Sequence, residues 1–139
     1  REALEYMAFP RAIALAERAW AAAPDSTSAH NSPPSANSAS AAWNEFANRL
    51  GQRELPRLDY LCGGVEYRLP PPGATIRDGK IYANVELPGL TLRYTTDGTE
   101  PTGSSSVYSE PITSRHRVML KSFDSRGRGS RSAVVPVND

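Results

Sequence analysis

Two pairs of carboxylates lie close enough in this sequence to be considered for acid–base chemistry. Glu54 and Asp59 are five residues apart, and Asp97 and Glu100 both belong to the stretch TTDGTEPT. The first pair surrounds an expected bend, and nothing in the pattern makes the two side chains converge. Turn chemistry accounts for the second pair, because an aspartate in a turn bonds its own backbone and Pro101 stiffens the exit. The sequence therefore predicts no catalytic pair of carboxylates.

Nucleophilic and metal chemistry also lack a recognisable set of residues. His30 has no second ligand at a suitable spacing, and the DGTE turn offers too few oxygen ligands for calcium. His116 has no serine or cysteine nucleophile in a recognisable setting. Cys62 is the single cysteine, and its surroundings supply no base that would activate a thiolate, so we expect a small, partly buried side chain. We predict no cofactor, no metal and no catalytic residue in this chain.

The tyrosines could offer flat aromatic faces to a ligand where they are exposed. Tyr94 shares a strand face with Leu92 and is expected in the core. Tyr82 faces opposite Ile81 and Val85, so it is the best candidate for an exposed ring. The C-terminal half contains four tyrosines in all: Tyr67, Tyr82, Tyr94 and Tyr108.

A cluster of basic residues near the C-terminus is expected to be a solvated face, with docking against an acidic surface as the alternative. The 16 basic and 15 acidic residues leave a net charge of +1, which gives no reason to expect a nucleic-acid partner. No apolar run is long enough to predict a membrane span. The basic cluster consists of Arg115, Arg117, Lys121, Arg126, Arg128 and Arg131.

Helical periodicity organises the first 64 residues. Residues 1–22 predict a helix with two apolar stripes, interrupted at Pro10, which fits best in the first turn of a helix over about 10–22. Residues 23–42 are rich in Ser, Ala, Asn and Pro and predict a flexible linker. Residues 43–64 predict a second helical segment, with a break or bend at Gly51 and Pro56. Its apolar stripe contains Trp43, Phe46, Ala47, Leu50 and Leu55 and continues through Leu58 and Leu61. One stripe of the first helix contains Leu4, Ala8, Ala12, Leu15 and Ala19; the other contains Phe9, Ile13, Ala16 and Trp20.

From residue 65 to residue 139 the pattern changes to a period of two. Turns are predicted at Asp78-Gly79, at Asp97-Gly98 and near Arg126-Gly127, between short runs that alternate apolar and polar residues. Short strands about ten residues apart, divided by Gly and Pro turns, are typical of an antiparallel sandwich. We therefore predict that this region is a small β domain.

The string EYMAFPRAIALAERAW resembles the last barrel helix of bacterial chitobiases, the β-N-acetylhexosaminidases of glycoside hydrolase family 20. FANRLGQRELPRLDYLCGGVEYRLPPPGA is similar to the connection from that barrel to a C-terminal domain, and ELPGLTLRYTTDG resembles strands within that domain. The resemblance implies a mainly β fold: a small immunoglobulin-like antiparallel sandwich preceded by helices that resemble the end of a (β/α)8 barrel. It also implies that the helix of residues 1–22 packs between barrel helices, which would explain its two stripes. Trp20 lies on a stripe of this helix and Trp43 on the stripe of the second segment, and both match core positions.

The family's chemistry uses the substrate's acetamido group as nucleophile, assisted by an Asp-Glu dipeptide at the end of a barrel strand. This sequence contains no Asp-Glu dipeptide. The resemblance therefore implies the C-terminal, architectural part of a hexosaminidase, partnered by the catalytic barrel domain of the parent chain, in the periplasm or secreted. Two alternatives remain: a carbohydrate-binding module for chitin oligosaccharides, in which Tyr82 would be the glycan contact because sugar rings pack well on aromatic planes, and an immunoglobulin-like protein-interaction domain.

Overall fold

A computed structural model of the chain describes residues 2–20 and 36–136, and the predicted features at His30 and residues 21–35 lie outside this part. The chain divides into a helical unit, residues 1–68, and a β unit, residues 69–139. The division falls four residues after the predicted end of the helical segment at residue 64.

The helical unit begins with two short helices, α1 (Glu2–Ala8) and α2 (Arg11–Trp20), separated at Phe9 and Pro10. Proline has no N–H to continue the first helix, but its carbonyl accepts a hydrogen bond from the Ile13 N–H at 2.9 Å. Pro10 thus precedes the first turn of α2, close to the predicted start.

One side of these helices contacts the rest of the helical unit. Phe9, Ile13 and Glu17 are half-buried, and the Glu17 carboxylate lies 3.2 Å from the guanidinium of Arg49. The Phe9 carbonyl accepts a hydrogen bond from the Arg68 N–H at 3.1 Å. Neither helix contains a fully buried residue, so most of the first apolar stripe is exposed to solvent.

The second helical segment begins at Ala36, seven residues before the predicted start at residue 43. The linker prediction is therefore wrong for residues 36–42. Four alanines among these seven residues give them a strong intrinsic preference for helix, which the Ser- and Pro-rich composition of the wider stretch obscured. The segment consists of α3 (Ala36–Arg49), a π turn (Leu50–Glu54), α4 (Leu55–Leu58) and a 3₁₀ turn (Leu61–Gly63).

The π turn lies where a bend was predicted. The Leu55 N–H donates to the Leu50 carbonyl, which is one residue further back than in an α-helix, and Pro56 offers no N–H at all. The predicted apolar stripe forms the core of this unit through Ala47, Leu50, Leu55 and Leu58, each at most 5% exposed. Trp43 and Leu61 lie at the ends of the stripe and are 45% and 46% exposed.

The β unit contains two antiparallel sheets, which confirms the predicted sandwich of short strands. One sheet pairs β1 with β2, and the other has the order β4-β3-β5-β6. The six strands are β1 (Gly73–Arg77), β2 (Lys80–Asn84), β3 (Thr91–Thr95), β4 (Ser106–Val107), β5 (Val118–Phe123) and β6 (Ala133–Val135).

The predicted turns join these strands because their residues tolerate a left-handed backbone. Asp78 and Gly79, with φ of 50° and 70°, form the two-residue connection between β1 and β2. Gly98 and Gly127 also have positive φ, at the other two predicted turns.

The two sheets share one hydrophobic core. Ile81 of β2 packs with residues from β3, β5 and β6, and the buried set is completed by Leu92, Val118, Leu120 and Val135. The alternation of exposure along β2 matches the predicted period of two: Ile81 is 2% exposed and Tyr82 is 40% exposed. Strand β2 therefore has one face in the core and one in solvent, whereas all five residues of β1 are exposed.

Tyr108 attaches the hairpin to the larger sheet through its hydroxyl group. The hydroxyl oxygen accepts a hydrogen bond from the Ala83 N–H at 2.9 Å and donates to the Ile81 carbonyl at 3.3 Å. The Tyr108 N–H donates to the Leu92 carbonyl at 2.8 Å, so this residue connects β2 with β3.

Replacing Tyr108 with Phe is expected to lower the free energy of unfolding by about 1–2 kcal/mol, because the part-buried Ala83 N–H would lose its acceptor. Urea unfolding of the two proteins measures the difference. Tyr82→Phe serves as the control, because that ring is exposed and the change should have little effect. Equal losses for the two variants would contradict a bridging role for the Tyr108 hydroxyl.

Candidate functional site

The carboxylates of the TTDGTEPT turn bond different partners and do not form a catalytic pair. The Asp97 carboxylate accepts hydrogen bonds from the N–H and the hydroxyl of Thr99, at 3.0 and 2.6 Å. These bonds stabilise the ionised form and lower the pKa of Asp97. The Glu100 carboxylate instead lies 2.8 Å from the Lys121 ammonium and accepts a hydrogen bond from the Ser132 hydroxyl at 2.6 Å. Each side chain has a structural function.

The pair formed by Glu100 and Lys121 should make stability depend on pH in the acidic range. The hydrogen bond from Lys121, together with that from Ser132, lowers the pKa of Glu100 below its ordinary value of 4.5. Between the lowered pKa of the folded chain and the ordinary value of 4.5, the unfolded chain binds more protons than the folded chain does. The free energy of unfolding therefore rises with pH across this window. The contribution is complete above the unfolded pKa and is lost as the pH falls through the folded pKa.

We expect Glu100→Gln to be less stable than the unchanged protein at about pH 6, with the difference disappearing at about pH 3. Urea midpoints measured at the two pH values test this. The effect should be small, because the Glu100 side chain is 54% exposed. A difference that stays constant with pH would mean that Glu100 acts without its charge.

The other candidate acid, Glu54, is held in ion pairs within its own helical segment. Its carboxylate oxygens lie 3.0 Å from Arg57 and 3.3 Å from Arg53. This is the arrangement of a solvated helix surface.

The described histidine and cysteine candidates both lie at the surface. His116 is exposed in a turn where its backbone N–H donates a hydrogen bond to the Ser114 hydroxyl. Cys62 is exposed, so the expectation of partial burial is wrong. Its φ of 52° places it in a left-handed turn before two glycines, Gly63 and Gly64. Within the described residues, no group of three His, Cys, Asp or Glu side chains could hold a metal ion.

The basic cluster is dispersed over the β unit. Lys121 pairs with Glu100, and the Arg128 Nε lies 2.7 Å from the Asp124 carboxylate. The four remaining members are exposed: Arg115, Arg117, Arg126 and Arg131. This distribution agrees with a solvated face.

Of the four tyrosines considered for binding, Tyr82 is the one that is exposed. Tyr94 and Tyr108 pack edge to face against each other, with ring centroids 6.5 Å apart, and both contact the core. Tyr67 is 6% exposed. Sequence periodicity identified this difference, because Tyr82 and Ile81 alternate along β2.

The surface around Tyr82 is the outer face of the β1–β2 hairpin. Thr75 lies directly opposite Tyr82 in the register, and Asn84 lies opposite Gly73. Arg77 and Lys80 form the next pair, beside the turn. All of these residues are exposed, so the face carries one aromatic ring among groups that form hydrogen bonds.

A second surface, which sequence reasoning did not predict, lies in the helical unit. A mainly apolar groove of about 690 Å³ separates α2 from the segment that contains α3 and α4. All four residues of the second stripe line it, namely Phe9, Ile13, Ala16 and Trp20. The stripe thus faces the neighbouring helices without closing fully onto them, and Trp20 is 88% exposed instead of occupying a core position.

The chain belongs to the class of small antiparallel β-sandwich domains that follow a helical segment in the sequence. Comparison with known proteins gives its family. The family model of the chitobiase/beta-hexosaminidase C-terminal domain matches residues 54–132. The chain belongs to this family. The match includes five complete strands of the β unit together with the end of the helical unit.

Two curated relatives extend this similarity. The chain is 44% identical over 105 residues to N,N'-diacetylchitobiase of Vibrio harveyi, an alignment that covers 70% of this chain and 12% of that protein. It is 28% identical over 148 aligned positions to a beta-hexosaminidase of Vibrio vulnificus, covering 95% of this chain and 17% of that protein. The chain therefore spans a small fraction of each relative. Among the described helices, none has the length and apolar character needed to cross a membrane.

Proposed function

We propose that this chain is the C-terminal, architectural part of a β-N-acetylhexosaminidase that removes terminal N-acetylhexosamine from chitin oligosaccharides. The catalytic centre lies in a barrel domain of the same polypeptide, outside these 139 residues. Membership of the chitobiase/beta-hexosaminidase C-terminal family and the names of the two Vibrio relatives support this proposal.

The observation that carries the architectural role is the exposed apolar surface of α1 and α2. Leu4, Met7 and Leu15 are 73–76% exposed, although a stable soluble surface normally keeps large apolar side chains apart from one another. Covering these side chains would contribute favourable hydrophobic free energy to association with another domain.

The groove on the other side of α2 supplies a second surface for the same partner. Its apolar lining belongs to the second stripe, so α2 offers apolar side chains in two directions. A helix at the periphery of a barrel needs apolar side chains in two directions, because it contacts both the strands beneath it and the helices beside it. The barrel domain therefore covers the first stripe and fills the groove.

The bonding partners of the carboxylates support the proposal that the active site lies outside these residues. Glu54 and Glu100 are engaged in ion pairs, and Asp97 bonds its own turn. The Asp-Glu dipeptide of the family's chemistry does not occur in the sequence.

An activity assay on the purified 139-residue chain tests this directly. We expect no release of nitrophenol from an aryl N-acetylglucosaminide, whereas the longer polypeptide that contains the barrel should hydrolyse it. Turnover that purifies with the chain and disappears when its own carboxylates are replaced would contradict the proposal.

We also propose that the protein acts in the periplasm or after secretion, which the resemblance to bacterial chitobiases supports. Osmotic-shock fractionation with a cytoplasmic marker enzyme tests the location. Retention of the protein with the marker would overturn it.

A further inference from the structure

We propose that the outer face of the β1–β2 hairpin is a binding platform for β-linked N-acetylglucosamine oligosaccharides, with Tyr82 as its stacking residue. The choice of sugar rests on the proposed function, since it takes the ligand to be the substrate class of the whole enzyme. The platform itself is defined by residues of this chain.

The position of Tyr82 is suited to stacking. Tyr82 is 40% exposed on the outer face of the hairpin, and the register places Thr75 beside it and Gly73 diagonally across. Glycine and threonine leave the ring uncovered on that side, so the C–H face of a pyranose can reach it. Stacking on an aromatic plane is the usual contact between proteins and such sugar faces.

Asn84 supplies hydrogen-bonding groups at the edge of the ring. A Cβ at Gly73 would lie only 3.0 Å from the Asn84 Oδ1, which shows that the amide extends over β1 next to the row of Tyr82. An amide both donates and accepts, which matches the acetamido group and hydroxyls of N-acetylglucosamine. A substitution at Gly73 would displace this amide.

The charged side chains of this face lie at one end of it. Arg77 and Lys80 lie at the turn end of the hairpin, and the paired outward positions of the two strands contain no carboxylate. The cations are long donors that can reach hydroxyl groups of a second sugar ring along the strands. An extended oligosaccharide thus fits better than a single sugar.

The hairpin is a rigid support for the platform. Ile81 is buried on the opposite face, its N–H and carbonyl both bond the backbone of Ile112, at 2.8 and 3.1 Å, and Tyr108 binds the next peptide group. Rigid positioning reduces the ordering that a ligand must impose on binding.

Titration of the 139-residue chain with N,N'-diacetylchitobiose and chitotetraose, followed through backbone amide shifts, tests the platform. We expect saturable shifts confined to residues 73–84, with tighter binding of the tetramer. Tyr82→Ala should weaken binding about tenfold and Tyr82→Phe by no more than about twofold, because the ring is retained. Tyr60→Ala is the matched control, since Tyr60 is 84% exposed but lies in the helical unit.

The absence of saturable shifts at millimolar sugar, or shifts that persist unchanged in Tyr82→Ala, would overturn the platform. Equal shifts with cellobiose, which lacks the acetamido group, would overturn the choice of N-acetylglucosamine. These results are independent of the proposed function, which depends on hydrolysis by the longer polypeptide. Sugar binding by this chain together with an inactive longer polypeptide would overturn the proposed function alone.

Discussion

Replacing Ile81 with Ala is expected to lower the free energy of unfolding of the β unit by about 3 kcal/mol. Ile81 is 2% exposed and is the residue of β2 that packs with the buried side chains of the larger sheet. Alanine would leave a cavity at the junction of the two sheets. Because the hairpin depends on this contact for its attachment, its amides should also exchange faster with solvent.

Ile76→Ala provides a matched control for this prediction. Ile76 is the direct cross-strand partner of Ile81 but is 43% exposed, so its truncation should cost less than about 1 kcal/mol. Urea unfolding followed by circular dichroism measures both variants. Similar losses at the two positions would mean that the hairpin is not anchored through Ile81.

Leu15→Glu is expected to have different effects on the stability of the 139-residue chain and on that of the longer polypeptide. In the 139-residue chain, Leu15 is 73% exposed, and a glutamate there has Arg11 and Arg18 one helical turn away, so stability should stay the same or rise slightly. In the longer polypeptide, where we propose that a barrel domain covers this face, the buried charge should cost about 3 kcal/mol or more. Thermal unfolding of both proteins gives the comparison.

Leu50→Ala is the control that should destabilise both proteins. Leu50 is 4% exposed in the core of the helical unit, so its loss should cost about 2–5 kcal/mol whether or not the barrel is present. A Leu15→Glu variant that is harmless in the longer polypeptide, beside a destabilised Leu50→Ala, would show that the first stripe remains in solvent.

The β unit could be predicted well from sequence because its signals are local. The Asp78-Gly79 turn needs residues that accept positive φ, and the alternation of Ile81 and Tyr82 follows directly from the pleat of a strand. The exposure of Tyr82 could be predicted for the same reason. What surrounds Tyr82 depends on the register with β1, which places Thr75 and Gly73 beside the ring and which sequence reasoning did not assign.

The helical unit was less predictable because its burial depends on distant partners. Periodicity identified the two stripes of α2, but it could not show that one would be exposed and the other would line a groove. Trp20 lies on an apolar stripe, as a core residue would, but it is exposed to solvent in this chain. Cys62 is exposed in a left-handed turn, a backbone conformation that a cysteine in the sequence does not predict. The early start of α3 at Ala36 shows helix propensity prevailing over a composition typical of linkers.

Amide hydrogen exchange of residues 2–20, compared between the 139-residue chain and the longer polypeptide, tests the central claim most directly. Helices without a fully buried residue should open readily, so fast exchange is predicted in the chain alone. Strong protection is predicted in the longer polypeptide, where the barrel would cover both sides of α2. Equal protection in the two proteins would contradict the claim that these helices are completed by the rest of a hexosaminidase.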